Sequence, residues 1–280
     1  MSVRHSWLQQ IGRAALLMIL VAMGTILLMR FAPGYFTDER EMDARYAHLA
    51  ETELHAEQVE QSSLRTIAER TFHGWMHGDL GRSRQYGVPV WELMRPRLSI
   101  TALLLAQGLV YGWLLAVCAA SITSIGSAWT LPLGALFTVL LAVPTAAIAT
   151  LCLLSGFGGP VLVLTTLLAA RDFKFISRML HAALKAPHFL QARAQGIRRH
   201  RMVRVHLLPC ILPQLLVLAG LSVVTALSAI VPVEVIFDVP GVGQLAWAAA
   251  MNRDLPVLIA VTLLMATIVA STSLLPKRPS

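Results

Sequence analysis

Apolar residues run along this chain in long blocks separated by short polar breaks, a pattern of whole spans rather than of alternating strands. The first run covers residues 14–29 and is flanked by Arg13 and Arg30. Counted from Trp7, with the two arginines snorkelling, it reaches the roughly 20 residues a bilayer requires. No small-x-small cleavage site follows directly, so a retained span is expected rather than a signal peptide. Further along, no Asp, Glu, Lys or Arg occurs in the 73 residues from Leu98 to Ala170. That block predicts three spans: 99–120, then 130–153 with Pro132 and Pro144 as kinks, then a short one over 161–170 after the breaker Ser155-Gly156-Phe157-Gly158-Gly159-Pro160. Residues 121–127 form the turn between the first two. Residues 207–231 and 255–275 predict a fifth and a sixth span. The expected fold class is an all-α polytopic membrane protein of six transmembrane helices.

Between the first span and this block lies a polar segment. Residues 35–73 contain no Gly or Pro after the breaker Pro33-Gly34, and Glu41 and Arg45 form an i,i+4 pair. Met42, Tyr46 and Leu49 give that stretch an apolar side, so a partly amphipathic helix is expected. The organisation read from the chain is residues 1–31 as N-terminus and first span, 32–97 as an external helical segment, and 98–280 as a five-helix core with a loop over 171–209.

Charge sets the orientation. Residues 32–97 hold eleven acidic and eight basic residues, whereas 171–206 hold nine basic and one acidic, Asp172. A basic block between apolar runs is what the positive-inside rule predicts for a cytoplasmic loop. Six crossings place both termini and that loop on the cytoplasmic side and residues 32–97 outside, so the two lines of reasoning agree. Of the whole chain, 56% is hydrophobic and 14% charged, against about 45–50% and about 25% for soluble domains. A soluble enzyme and a disordered chain are thereby excluded. The net charge of +8 is this one block, and without interleaved aromatics or a known module it indicates no nucleic-acid partner. Cys118, Cys152 and Cys210 sit in apolar runs and suggest no disulfide framework.

Chemistry of the chain's own is not expected. There is no G-x4-G-K-S/T loop, G-x-S-x-G, H-E-x-x-H or C-x-x-C, so the chain should neither bind nor hydrolyse ATP. His73 and His77 stand four apart near Asp79, but Gly74 and Gly78 interrupt a helix there and no metal site is expected. With no charge in 98–170, this subunit is expected to offer no charged solute site of its own in the membrane.

The basic block carries the most specific pattern. Gln191-Ala192-Arg193-Ala194-Gln195-Gly196 is followed by nine residues, Ile197 to Val205, and then His206-Leu207-Leu208-Pro209. Small residues allow close approach to a partner surface, and Gly196 ends the helix and turns the chain. This spacing resembles the E-A-A-x3-G-x9-I-x-L-P loop of binding-protein-dependent ABC importer permeases, and A-R-A-x-G with H-x-L-P resembles their dipeptide/oligopeptide/nickel branch. Further matching pieces come in order: Arg30-Phe31-Ala32-Pro33-Gly34; Gly78-Asp79-Leu80-Gly81-Arg82-Ser83; Pro89-Val90; Arg97-Leu98-x-x-Thr101; Val233-Glu234-Val235-Ile236-Phe237; Pro240-Gly241-Val242-Gly243; and Asn252-Arg253-Asp254-x-Pro256.

The resemblance implies a permease subunit of an ATP-driven importer of peptides or similar small solutes. It would sit in a bacterial or archaeal inner membrane. Gln191, Ala192, Arg193, Ala194, Gln195, Gly196, Ile197, Leu208 and Pro209 would form the segment that couples to an ATPase. Gly78, Asp79, Leu80, Gly81 and Ser83 would be an external motif. Glu234, Phe237, Pro240, Gly241, Gly243, Asp254 and Pro256 would belong to the translocation path or its external gate, with residues 234–254 an external re-entrant or surface piece. Implied partners are a second homologous permease, two ATPase subunits holding ATP and Mg, an external solute-binding protein and the lipid bilayer. The family's tyrosine–valine–arginine–threonine is replaced by His188-Phe189-Leu190-Gln191, which leaves a second reading, a membrane scaffold that keeps the permease fold without transport.

Overall fold

Pro144 divides what the sequence presents as one span. In the computed structural model the segment is two helices, Thr130–Ala142 (α2) and Thr145–Ser155 (α3), bent by 97°. The residue before a proline is driven out of the helical region, and Val143 is extended, with φ −81° and ψ 128°. Pro132 lies in the first turn of α2, where a missing N–H costs nothing, and breaks nothing. The expected single kinked helix is corrected to two helices that meet at a sharp bend.

The structure describes residues 79–124, 129–187 and 207–273, with Phe189, Gln191, Gln195, Val205 and seven helical positions between Gly12 and Leu27. Most of the first span, the external segment 35–73, His73, His77 and Gly78 lie outside the described residues. So do Ala192, Arg193, Ala194, Gly196 and Ile197. Among the described residues the remaining helices are Val90–Ser124 (α1), Pro160–Leu184 (α4), Leu208–Ile236 (α5), Val242–Met251 (α6) and Leu255–Ser273 (α7). Three of them, α1, α5 and α7, are long and apolar enough to cross a membrane, or four spans if the bent α2–α3 pair counts as one.

Helix α4 differs from expectation. It does not end at Ala170 but runs 25 residues from Pro160, which serves at the first turn, through Arg171, Asp172, Lys174 and Arg178 to Leu184. Gly156, at φ +64°, closes α3 in the left-handed conformation that glycine adopts freely.

The chain divides into two packing units, Leu98–Gln244 with Ser271–Ser280 and Met1–Arg97 with Leu245–Ala270. In the first, α1 approaches α4 through small residues four apart. A Cβ built on Gly108 would lie 2.7 Å from Leu164 Cβ, and one on Gly112 would lie 2.8 Å from Leu168 Cβ. Ala116 and Ala120 continue the row and are fully buried. Lipid offers no hydrophobic drive between helices, so close backbone approach through such rows is how membrane helices gain dispersion contact. Phe137 of α2 stacks on Phe173 of α4, centroids 4.4 Å apart, and Ile176, Leu180, Ile211 and Leu218 complete the core.

In the other unit, residues 82–89 form a tight reversal. Arg82 and Pro89 bridge antiparallel, Ser83 N–H donates to Val88 O at 3.0 Å, and Val90 N–H to Gly81 O at 3.0 Å.

Candidate functional site

Glu234 lies in the last turn of α5, where the sequence places V-E-V-I-F, and is fully buried. Its carboxylate faces the start of α6, whose first amides have no partner within the helix. Gly243 N–H donates to Oε2 at 2.7 Å and Gln244 N–H to the same oxygen at 3.1 Å. Thr101 Oγ1, on α1, donates to Oε1 at 2.6 Å and accepts Val242 N–H at 2.8 Å. One carboxylate thus ties three stretches of chain together and satisfies a helix N-terminus, where negative charge is favoured.

Glycine is required here by space. A Cβ on Gly241 would fall 2.2 Å from the Glu234 carboxyl carbon, and one on Gly243 would fall 2.9 Å from both Oε2 and Val231 Cα. Between them and α5, Phe237 N–H donates to Val233 O and Val239 N–H to Glu234 O. Asp238 takes φ +51° and accepts Gln244 Nε2–H at 2.6 Å. Pro240 is exposed.

Asp254 builds a second clasp within the other unit. It is 1% exposed and accepts from the Ser83 hydroxyl, from Arg84 N–H at 3.2 Å and from Gln85 N–H at 3.3 Å. Ser83 Oγ in turn accepts Tyr86 N–H at 3.0 Å. Asp79 Oδ1 accepts Gly81 N–H at 2.9 Å. Gly81, at φ +80°, comes within 3.7 Å of Pro256 Cβ, measured from a built Cβ. The pieces G-D-L-G-R-S and R-D-x-P, 171 residues apart at Ser83 and Asp254, are therefore one assembly, with Leu80 half-buried beside it.

The coupling segment is described only in part. Gln191 and Gln195 are exposed and helical in relation, Gln195 N–H donating to Gln191 O at 3.1 Å. Leu208 and Pro209 are exposed in the first turn of α5.

Sequence reasoning missed a polar cluster at mid-helix. Asp172 of α4 is fully buried, with Oδ2 2.7 Å from Ser222 Oγ of α5. Ser222 Oγ also lies 2.9 Å from Leu218 O and accepts Trp113 Nε1–H at 3.2 Å. Arg171 Nη1 donates to Leu221 O at 2.8 Å and to Thr225 Oγ1. The available signal was a charged pair directly after an uncharged run, which reads equally as the start of a loop.

Helices of this length and apolarity, with carboxylates buried in hydrogen-bonded turns at their ends, define a membrane-embedded helical protein. Residues 108–277 match the family described as binding-protein-dependent transport system inner membrane component, and the chain belongs to that family. The curated relatives it matches include peptide transport permeases. It is 29% identical over 252 residues to the dipeptide transport system permease protein DppB of Escherichia coli, covering 72% of this chain and 74% of that one. It is 24% identical over 262 residues to the oligopeptide transport system permease protein OppB of the same organism, covering 85% and 84%. In a structure of the MetNI methionine ABC transporter in inward-facing conformations, one chain aligns with 67% of this chain and 94% of its own, with 19% identity and TM-score 0.47.

Proposed function

We propose that this chain is the transmembrane permease subunit of an ATP-driven importer, moving peptides or a similar small solute inward by alternating access. The observation that carries the reading is the Glu234 clasp. The V-E-V-I-F and P-G-V-G pieces that resemble the family meet there through buried hydrogen bonds. In this reading Glu234, Phe237, Pro240, Gly241, Gly243, Asp254 and Pro256 belong to the translocation path or its external gate, as the family resemblance implies, and the Gly78–Ser83 motif holds Asp254 through Ser83. Residues 191–197, with Leu208 and Pro209, dock on an ATPase and transmit its closure as a rigid displacement. They supply no chemistry, so small size and a fixed turn matter more than charge. Two ATPase subunits hold ATP and Mg, a second homologous permease completes the path, and an external binding protein delivers the solute. The site of action is a bacterial or archaeal inner membrane, with the 171–209 loop and both termini inside.

The test is Gly196→Trp in the reconstituted complex. ATP hydrolysis should persist while solute uptake and its stimulation of hydrolysis are lost. Unchanged solute-stimulated hydrolysis overturns the coupling assignment. Wild-type complex that assembles with ATPases yet moves no solute favours the scaffold instead.

A further inference from the structure

The uncharged spans are not the whole story of charge inside this unit. Arg171 is the twelfth residue of α4, about 16 Å from its start at the usual helical rise. Its depth is set by α5, which is long and apolar enough to cross. Leu221, Ser222 and Thr225, against which Arg171 and Asp172 are bonded, lie at the midpoint of α5, so a spanning α5 holds Arg171 near the middle of a core about 30 Å thick. A permanently charged side chain at that depth is not left facing lipid; it faces water, a partner or a ligand.

Three features say which. First, Arg171 is part exposed, and the residues beside it form an open edge. On α4 this edge is Arg171, Phe175 and Arg178; on α5 it is Leu221, Thr225 and Ser228, again at helical spacing. Second, only Nη1 of the guanidinium is hydrogen-bonded among the described residues, to Leu221 O and Thr225 Oγ1. The opposite side, Nε–H and Nη2–H, is the pair of parallel donors that matches a carboxylate bidentately. The Phe175 ring, 5.9 Å from Cζ, limits where the plane can turn. Third, the neighbouring charges leave an anion favoured. Lys174 and Arg178 are basic, and α5 carries only Glu234, at its far end. The single nearby acid, Asp172, is turned fully inward.

Asp172 has its own part. Its bond to Ser222, which also accepts from Trp113, fixes the rotation of α4 against α5 and α1. Successive helical residues differ by about 100°, so pinning Asp172 inward holds Arg171 at the open edge.

We infer that Arg171 is a recognition group for the carboxylate of the transported solute, set in a wet path along the α4–α5 edge, with Asp172, Ser222 and Trp113 as its positioning residues. This rests on the importer reading and names the solute's chemistry within it.

The experiment uses membrane vesicles holding the chain with its ATPase and permease partners. Cys118, Cys152 and Cys210 are replaced by Ala, and Ser228→Cys is the reporter. Thiol reagents of opposite charge, sulfonatoethyl and trimethylammonioethyl methanethiosulfonate, measure water access and local potential. The anionic reagent should react faster than the cationic one by about tenfold or more, the scale on which confined charge concentrates counter-ions. Arg171→Gln should abolish that preference and Arg171→Lys should retain it. Dialanine should slow the reaction and dialaninamide should not, and the protection should vanish in Arg171→Gln. No reaction at Ser228→Cys, an unchanged reagent ratio in Arg171→Gln, or equal protection by the amide each overturns the inference. ATP-driven uptake of dialanine, followed in the same vesicles, separates the two readings. Uptake with an unreactive Ser228→Cys sinks the site and leaves the importer. A reactive, Arg171-dependent edge without uptake sinks the importer reading and leaves an anion site.

Discussion

Glu234 and Asp172 are both fully buried carboxylates in the same packing unit, and they are built differently. Glu234 has donors on both oxygens, a hydroxyl on one and two backbone amides on the other. Asp172 has one hydroxyl on Oδ2, and Oδ1 has no hydrogen-bond partner among the described residues. Burying a polar group is costly unless it is bonded. A fully bonded carboxylate can hold a fold together, whereas a half-bonded one contributes little net stability and is kept for something else. The first is an anchor and the second is an orienting group.

The largest effect should come from crowding or emptying the anchor. Gly241→Ala would push a methyl to within 2.2 Å of the Glu234 carboxylate, a fully buried and fully bonded charge. Loss of folded protein is expected, seen as loss of the monodisperse peak in size-exclusion chromatography. Glu234→Ala leaves the Gly243 and Gln244 amides and the Thr101 hydroxyl without their acceptor, at about 1–3 kcal/mol each. Glu234→Gln keeps one acceptor oxygen and should lie between Ala and wild type in thermal stability. Equal melting of the Ala and Gln variants would contradict the anchor.

Next in size is the helix contact. Gly112→Ala brings a Cβ to 2.8 Å from Leu168 Cβ, and overpacking of this kind costs about 1–3 kcal/mol. A lowered melting temperature of the purified complex is the check, and Gly134→Ala, with nothing within 4 Å, is the control that should not move. Asp254→Asn should cost less, about 1 kcal/mol, as a charge-assisted bond becomes an ordinary one. Ser83→Ala should have a similar effect, and the double variant little more than either alone if the two form one interaction.

How much of this is legible in the sequence follows from the reach of each signal. Hydrophobic runs show where helices lie, because burial in lipid is local to each run. They fail at residues 143–144, where one proline decides whether a run is straight or broken. They fail again at Ala170, where the first charges look like a loop although α4 continues to Leu184. Short motifs mark Glu234, Gly241, Gly243, Ser83 and Asp254 as candidates. Their pairing spans 133 residues for Thr101–Glu234 and 171 for Ser83–Asp254, and no local pattern encodes a partner that far away. The Gly108–Gly112–Ala116–Ala120 row was readable from its spacing of four, yet it carries meaning only once Leu164 and Leu168 are seen opposite it.

The smallest expected effect on stability is the sharpest test of the comparison. Asp172→Leu removes a carboxylate with one hydrogen bond and one bare oxygen, and Ser222 keeps both Leu218 O and Trp113 Nε1–H. Replacing a poorly satisfied buried charge by an apolar side chain of similar volume is often neutral or stabilising, so the melting temperature should stay level or rise. Uptake should nevertheless fall, because α4 has lost the bond that fixes its rotation and Arg171 is no longer held at the open edge. Asp172→Asn, which can still accept from Ser222, should restore most of the uptake. A variant as destabilised as Glu234→Ala would make Asp172 a second anchor. Full uptake in Asp172→Leu would leave it no orienting role.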